Sequence, residues 1–136
     1  MRYPVNLTAC KEGGFSVTFP DITEAITQGD TREEALKMAL DALVTAFEFY
    51  FEDNEAIPAP SPVTADFVEV PAAVVAKVLL LNQFAKSEMS QSELARRMHC
   101  PRQEVTRLFD LKHNTKINTV QKALLVLGQR LELSVV

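Results

Sequence analysis

The run Ile57-Pro58-Ala59-Pro60-Ser61-Pro62 constrains this chain more than any other feature. Prolines at alternate positions cannot continue a helix or donate to a central strand, and they favour an extended polyproline II path. They divide the 136 residues into two parts and read as a semi-rigid spacer over 57–66. Each part is small enough for its core to be marginal alone, so an oligomer or a permanent partner is expected.

The two parts differ in charge. Residues 1–64 hold four Lys/Arg and eleven Asp/Glu, a net of −7, whereas residues 65–136 hold ten and seven, a net of +3. An acidic half suits a basic protein and a basic half suits nucleic acid, with plain solvation of both as the bland alternative. No stretch reaches the roughly 18 apolar residues that span a membrane. The longest apolar-rich run, Val70–Leu81, is interrupted by Lys77. The N-terminus enters a strand pattern without a signal-peptide core, so a cytoplasmic protein is expected. Cys10 and Cys100 read as free thiols. With two histidines at no ligand spacing they make no zinc site, and no metal or cofactor is expected.

Residues 1–56 read as a small α+β layer of three or four strands and one helix. Arg2–Ala9 alternates, with Tyr3, Val5 and Leu7 on one face. Lys11-Glu12-Gly13-Gly14 is a hairpin turn, Phe15–Phe19 the return strand, Pro20-Asp21 a break and Ile22–Thr27 a short third strand. Thr31-Arg32-Glu33-Glu34 fits a capping box. Leu36, Leu40, Leu43, Phe47 and Phe51 continue that helix to about Glu52.

Residues 67–136 read as mainly helical. Phe67–Val70 is a short strand, Pro71 suits a first helical position, and Ala72–Ser87 is apolar at helical spacing. Ser90 with Glu93 caps a second helix and Pro101 starts a third. Asn118 with Gln121 looks like a cap for a helix ending near Gly128. Leu131, Leu133 and Val135 alternate with polar residues as a terminal strand, a candidate partner for Phe67–Val70 within or between subunits.

Gln91–Leu108 carries the sharpest pattern. Leu94 and Met98 fall on the inner face of one short helix, Ala95 is small at the point of closest approach, Cys100 sits in the turn, and Val105 and Leu108 face inward from the next helix. Every apolar position fits a helix-turn-helix. The turn position usually taken by Gly is His99, which tolerates positive φ better than most residues. The outward residues of the second helix, Arg102, Gln103, Glu104, Thr106 and Arg107, suit base edges in a major groove. A solvated charged face is the alternative. Gln91 and the loop residues Lys112, Asn114 and Lys116 are phosphate candidates. His113 is either near a phosphate or simply solvated. A mildly basic domain of this kind usually binds operator double-stranded DNA as a homodimer, and a tetramer is also open.

Ser90–Arg97 and Ala123–Gly128 resemble Xre/Cro-type regulators. Gly13–Asp21, Thr27–Ala35 and the aromatic helix end Phe47–Phe51, followed by the proline run, resemble HicB antitoxins over nearly the whole chain. That resemblance implies a partial RNase H-like toxin-binding domain at 1–56, without nuclease function, and a DNA-binding and dimerisation domain at 67–136. It implies a HicA-type toxin, a small basic mRNA-cleaving RNase, as partner, and repression of the shared operon. Phe19, Pro20 and Asp21 are the candidate toxin contacts. Thr23-Glu24 departs from the family's pattern after Phe-Pro-Asp.

RNase H chemistry needs clustered acidic residues around a divalent metal. Segments 2–9 and 15–19 contain none, so the chain is not expected to be an enzyme. The competing function is a stand-alone repressor whose N-terminal domain senses a small molecule.

Overall fold

A computed structural model describes the whole chain, Met1–Val136. It divides into two compact units: Met1–Phe49 with Pro58–Pro71, and Tyr50–Ile57 with Ala72–Val136.

In the first unit, the strand expected over Arg2–Ala9 is two strands in two sheets. β1 (Arg2–Pro4) and β2 (Asn6–Ala9) are separated at Val5. Pro4 has no N–H for a continuing ladder, and Val5 N donates outside both sheets, to Asp66 O at 3.0 Å. β2 pairs antiparallel with β3 (Phe15–Thr18), Leu7 opposite Val17. β3 pairs antiparallel with β4 (Ile26–Gly29). The third strand thus starts later than Ile22. The intervening turn, Ala25 N to Ile22 O, draws both Ile22 and Ala25 into the core. The β2–β3 connection is the expected tight turn: Cys10 N donates to Gly14 O, and Gly13 and Gly14 have φ of 100° and 77°.

α1 (Arg32–Glu52) opens as the capping box requires, with Glu34 N donating to Thr31 Oγ1 at 3.1 Å. Ala35, Ala39, Leu43, Ala46 and Phe47 form its buried stripe. The small residues let backbones approach closely. A Cβ at Gly29 would lie 2.6 Å from Ala35 Cα, so only glycine fits there. Tyr3 and Phe47 meet edge to face at 5.6 Å between centroids.

The proline segment is tied along this unit. Tyr3 Oη donates to Pro58 O at 2.7 Å. The Asp21 carboxylate accepts from Ser61 N at 2.9 Å and from Ser61 Oγ. Arg32 pairs with Asp66. The segment ends in β5 (Phe67–Glu69), which pairs antiparallel with β1, Tyr3 opposite Val68. Val70 N donates to Met1 O at 3.0 Å.

The second unit is helical: α2 (Ala72–Ser87), α3 (Gln91–Met98), α4 (Arg102–Leu108) and α5 (Ile117–Val126). It also takes the last turn of α1. Val78, Leu80, Leu81, Leu94, Val105, Leu108 and Ala123 are fully buried. Phe109 packs on Phe84 at 4.7 Å and on Phe51 at 6.5 Å between centroids. α5 ends as expected: Gly128 has φ 78°, its N donates to Leu125 O, and Gln129 N donates to Leu124 O.

Two expectations fail here. The N-cap of α5 is Lys116, with no side-chain cap bond; Asn118 already lies inside the helix, so Asn118 and Gln121 form no box. Residues 129–136 form no strand. β5 takes β1 as its partner in place of the terminal segment, and three alternating apolar positions without a ladder leave the backbone hydrogen-bonded to solvent. Leu133, Val135 and Val136 are exposed. No helix is long and apolar enough to cross a membrane.

Candidate nucleic-acid interface

α3 and α4 are two short helices joined by one turn. Ser90 caps the first: its Oγ accepts from Glu93 N at 3.1 Å. His99 ends it in the left-handed region, φ 56° and ψ 43°, so that Cys100 N reaches back to Ala95 O at 3.1 Å. This is the geometry glycine would supply, met by a residue that bears some strain there. Leu94, Val105 and Leu108 are 0% exposed and Ala95 4%, so the inner faces of both helices are spent on packing.

With those faces buried, α4 turns five side chains to solvent. Arg102, Gln103, Glu104, Thr106 and Arg107 are all exposed. Two of them are held from α3: Arg102 Nη1 donates to Ser92 Oγ at 3.1 Å, and Thr106 Oγ1 to Gln91 Oε1 at 3.5 Å. Gln91 is thus brought beside Thr106, one of the five α4 residues. Lys112, Asn114 and Lys116 are exposed in the loop between α4 and α5. Asp110 shapes that loop by accepting from Lys112 N at 2.9 Å.

The other basic residues of α3 are already engaged. Arg96 and Arg97 both donate to the Glu93 carboxylate, at 2.6 and 2.9 Å. Their hydrogen bonds, Arg96's first, hold Glu93 below the usual carboxylate range and raise Arg96. In the turn, burial pushes the Cys100 thiol up, and the Glu104 carboxylate adds to the effect. Cys10 and Cys100 are both free.

Sequence reasoning missed Lys77. It is 4% exposed, and its ammonium donates to the carbonyls of Arg107, Asp110 and His113 at 3.1, 2.6 and 2.7 Å. Burial lowers its pKa, and the Asp110 charge opposes that shift. A lysine inside an apolar helical stripe was the available signal. Its acceptors lie at least 30 positions away, beyond any local pattern.

The candidate toxin contacts are not gathered into a surface. Phe19 is 2% exposed and belongs to the first unit's core. Asp21 is occupied by Ser61, and only Pro20 lies open. A strand residue alternating with solvent-facing neighbours goes inward, as the phase of Phe15, Val17 and Phe19 already suggested. The exposed large apolar residues of this unit are instead Ile26, Met38, Phe49, Val63 and Phe67, of which only Phe49 lies in a motif noted above, the aromatic helix end.

A strand-and-helix unit, joined in one chain to a helical unit that presents one short polar helix, defines a two-part class of small protein. Residues 2–79 match a family described as HicB_like antitoxin of bacterial toxin–antitoxin systems. The chain is 63% identical over 135 residues to Antitoxin HicB 1 of Photorhabdus laumondii subsp. laumondii, covering 99% of this chain and 87% of that one. It is 59% identical over 138 residues to Antitoxin HicB of Escherichia coli K12, covering the whole of both. Antitoxin HicB of Pseudomonas fluorescens Pf0-1 is 40% identical over 126 residues, 90% of this chain and 86% of that one. The chain belongs to the HicB-like antitoxin family.

Proposed function

We propose that this antitoxin neutralises a HicA-type mRNA-cleaving toxin through its first unit and represses its own operon by inserting α4 into the major groove of operator DNA. The observation that carries the DNA half is the division of α4. Val105 and Leu108 are fully buried, while the five residues between and before them stay exposed and chemically suited to base edges. Gln91, Lys112, Asn114 and Lys116 border that face and supply phosphate contacts. Domain roles follow: the toxin is held within residues 1–56, and DNA and a second subunit within 67–136 by the helices from α2 onward, as a dimer or tetramer in the cytoplasm. The acidic charge of the first half suits a basic toxin.

Gln103→Ala with Arg107→Ala should lower operator affinity by about 1–3 kcal/mol per base contact while toxin neutralisation persists. Electrophoretic mobility shifts on the operon's upstream DNA measure the first, and growth of cells making the toxin measures the second. Unchanged operator binding by the double variant rejects α4 as the reading helix. Failure of the wild-type chain to restore growth rejects the toxin half.

A further inference from the structure

α4 is seven residues long, and its last carbonyls have no partners within the helix. A segment so short gains little from its own hydrogen bonds and depends on outside contacts for its position. The buried face, Val105 and Leu108, fixes its depth but does little to fix where the chain goes after Leu108. Phe109, packed on Phe84 and Phe51, and local bonds from Asp110 N and His113 N hold parts of that path, and one side chain ties three points of it together. The Lys77 ammonium, on α2, donates to Arg107 O in the last turn of α4, to Asp110 O just beyond it and to His113 O at the far side of the loop. An ammonium has three donors and no acceptor, and all three are used.

We propose that Lys77 is a positioning residue for DNA reading: a buried cation that pins the C-terminal end of α4 and the loop 110–113, and thereby sets the orientation of Arg107 and of the phosphate-facing Lys112 and Asn114. The inference rests on the DNA-binding reading above and adds to it a residue that never touches DNA. Lys77 is too deeply buried to serve as a phosphate contact itself. No other side chain replaces it. Arginine has the charge but a broad planar fork in place of a compact point, and methionine has the length but no donor: His113 O loses its bond, and Arg107 O and Asp110 O keep only their local ones, from Asp110 N and Thr115 Oγ1 and from His113 N.

The test uses the full chain, with a duplex from the upstream region of its own operon and a scrambled duplex of equal length. Lys77→Met is expected to weaken operator binding about tenfold or more, with binding to the scrambled duplex within about twofold, because non-specific affinity follows surface charge. A merely destabilised protein would lose both in the same proportion. Lys77→Ala adds the decisive readout. Propylammonium should restore operator selectivity, and tetramethylammonium at the same ionic strength, which has no N–H, should not. Operator binding by Lys77→Met within twofold of wild type overturns the proposal, as does equal rescue by both ions. If the wild-type chain does not discriminate the two duplexes, the DNA reading itself has failed. Amide hydrogen exchange then decides the pinning: faster exchange over 107–116 in Lys77→Met, with α5 unchanged, supports it, and unchanged exchange there rejects it.

Discussion

The two units are held together by opposite means. The first is closed by contacts between residues far apart: β1 with β5, Tyr3 with Pro58, Asp21 with Ser61, Arg32 with Asp66. The second is built largely from short-range devices: a serine cap at Ser90, a left-handed residue at His99, a glycine at Gly128. Its long-range ties are the packing of Phe109 on Phe84 and Phe51 and the three bonds of Lys77. The difference teaches that damage should spread differently. A single backbone clash should unmake the first unit as a whole, whereas most changes at helix ends of the second should cost or gain only their local amount.

The largest expected effect is Gly29→Ala. The added methyl meets the backbone of Ala35, which cannot rotate out of the way, so the change should destabilise the first unit by about 3 kcal/mol or more, beyond ordinary overpacking. Amide hydrogen exchange at rising urea, read separately over residues 2–49 and 72–126, gives one signal for each unit. Coincident loss of both signals would break the comparison, since it would mean that the second unit cannot stand without the first.

Next comes Asp21→Ala. It removes the carboxylate that accepts two hydrogen bonds from Ser61 and should cost about 1 kcal/mol, reduced from the usual charged-bond value because the pair faces solvent. Limited proteolysis between residues 57 and 66 should speed up in parallel. An unchanged cleavage rate would show that Tyr3 and Arg32 hold the segment without it.

His99→Gly should act in the other direction and stay local. It relieves a left-handed side chain but adds freedom to the unfolded state, for a net gain of about 0.5 kcal/mol. The melting temperature checks it, and a lower value would assign the imidazole a contact of its own.

The smallest effect is titration of Cys100. Its folded pKa is raised above the ordinary thiol value of 9.0, so the folded chain keeps the proton longer than the unfolded one. Its contribution is therefore fully present below pH 9.0 and is lost as pH rises through the folded pKa. Thiol labelling across pH 8–10 on a Cys10→Ser background should show Cys100 reacting more slowly in the native than in the urea-unfolded chain. Equal rates would remove the shift.

This contrast also explains how much was legible beforehand. The capping box at Thr31, the cap at Ser90, the turn at His99 and the end at Gly128 are each written within a few residues, and each is where the pattern put it. The inward set Leu94, Ala95, Val105 and Leu108 was equally plain, because a 3.6-residue period is a local signal. The division of Arg2–Ala9 between two sheets was not, since it depends on a partner at 67–69. Nor was the need for glycine at 29, which comes from the closeness of α1, or the duty of Lys77. The proline run lies outside helix and strand, as expected, yet that alone could not reveal what it lies against. For the site, the outward direction of the five α4 residues was legible from periodicity, whereas the burial of Phe19 was not weighed when its motif position made it a candidate contact.

The pairing of β1 with β5 sets a timetable. Tyr3 is made among the first residues on the ribosome, but Val68, which lies opposite it, follows 65 positions later. At synthesis rates of roughly 5–20 residues per second, β1 waits several seconds for its partner. Throughout that interval the nascent chain carries an unmatched strand, with the Tyr3 ring lacking its cross-strand neighbour Val68. A translation product that stops before Phe67 lacks β5 and leaves β1 without its ladder for good.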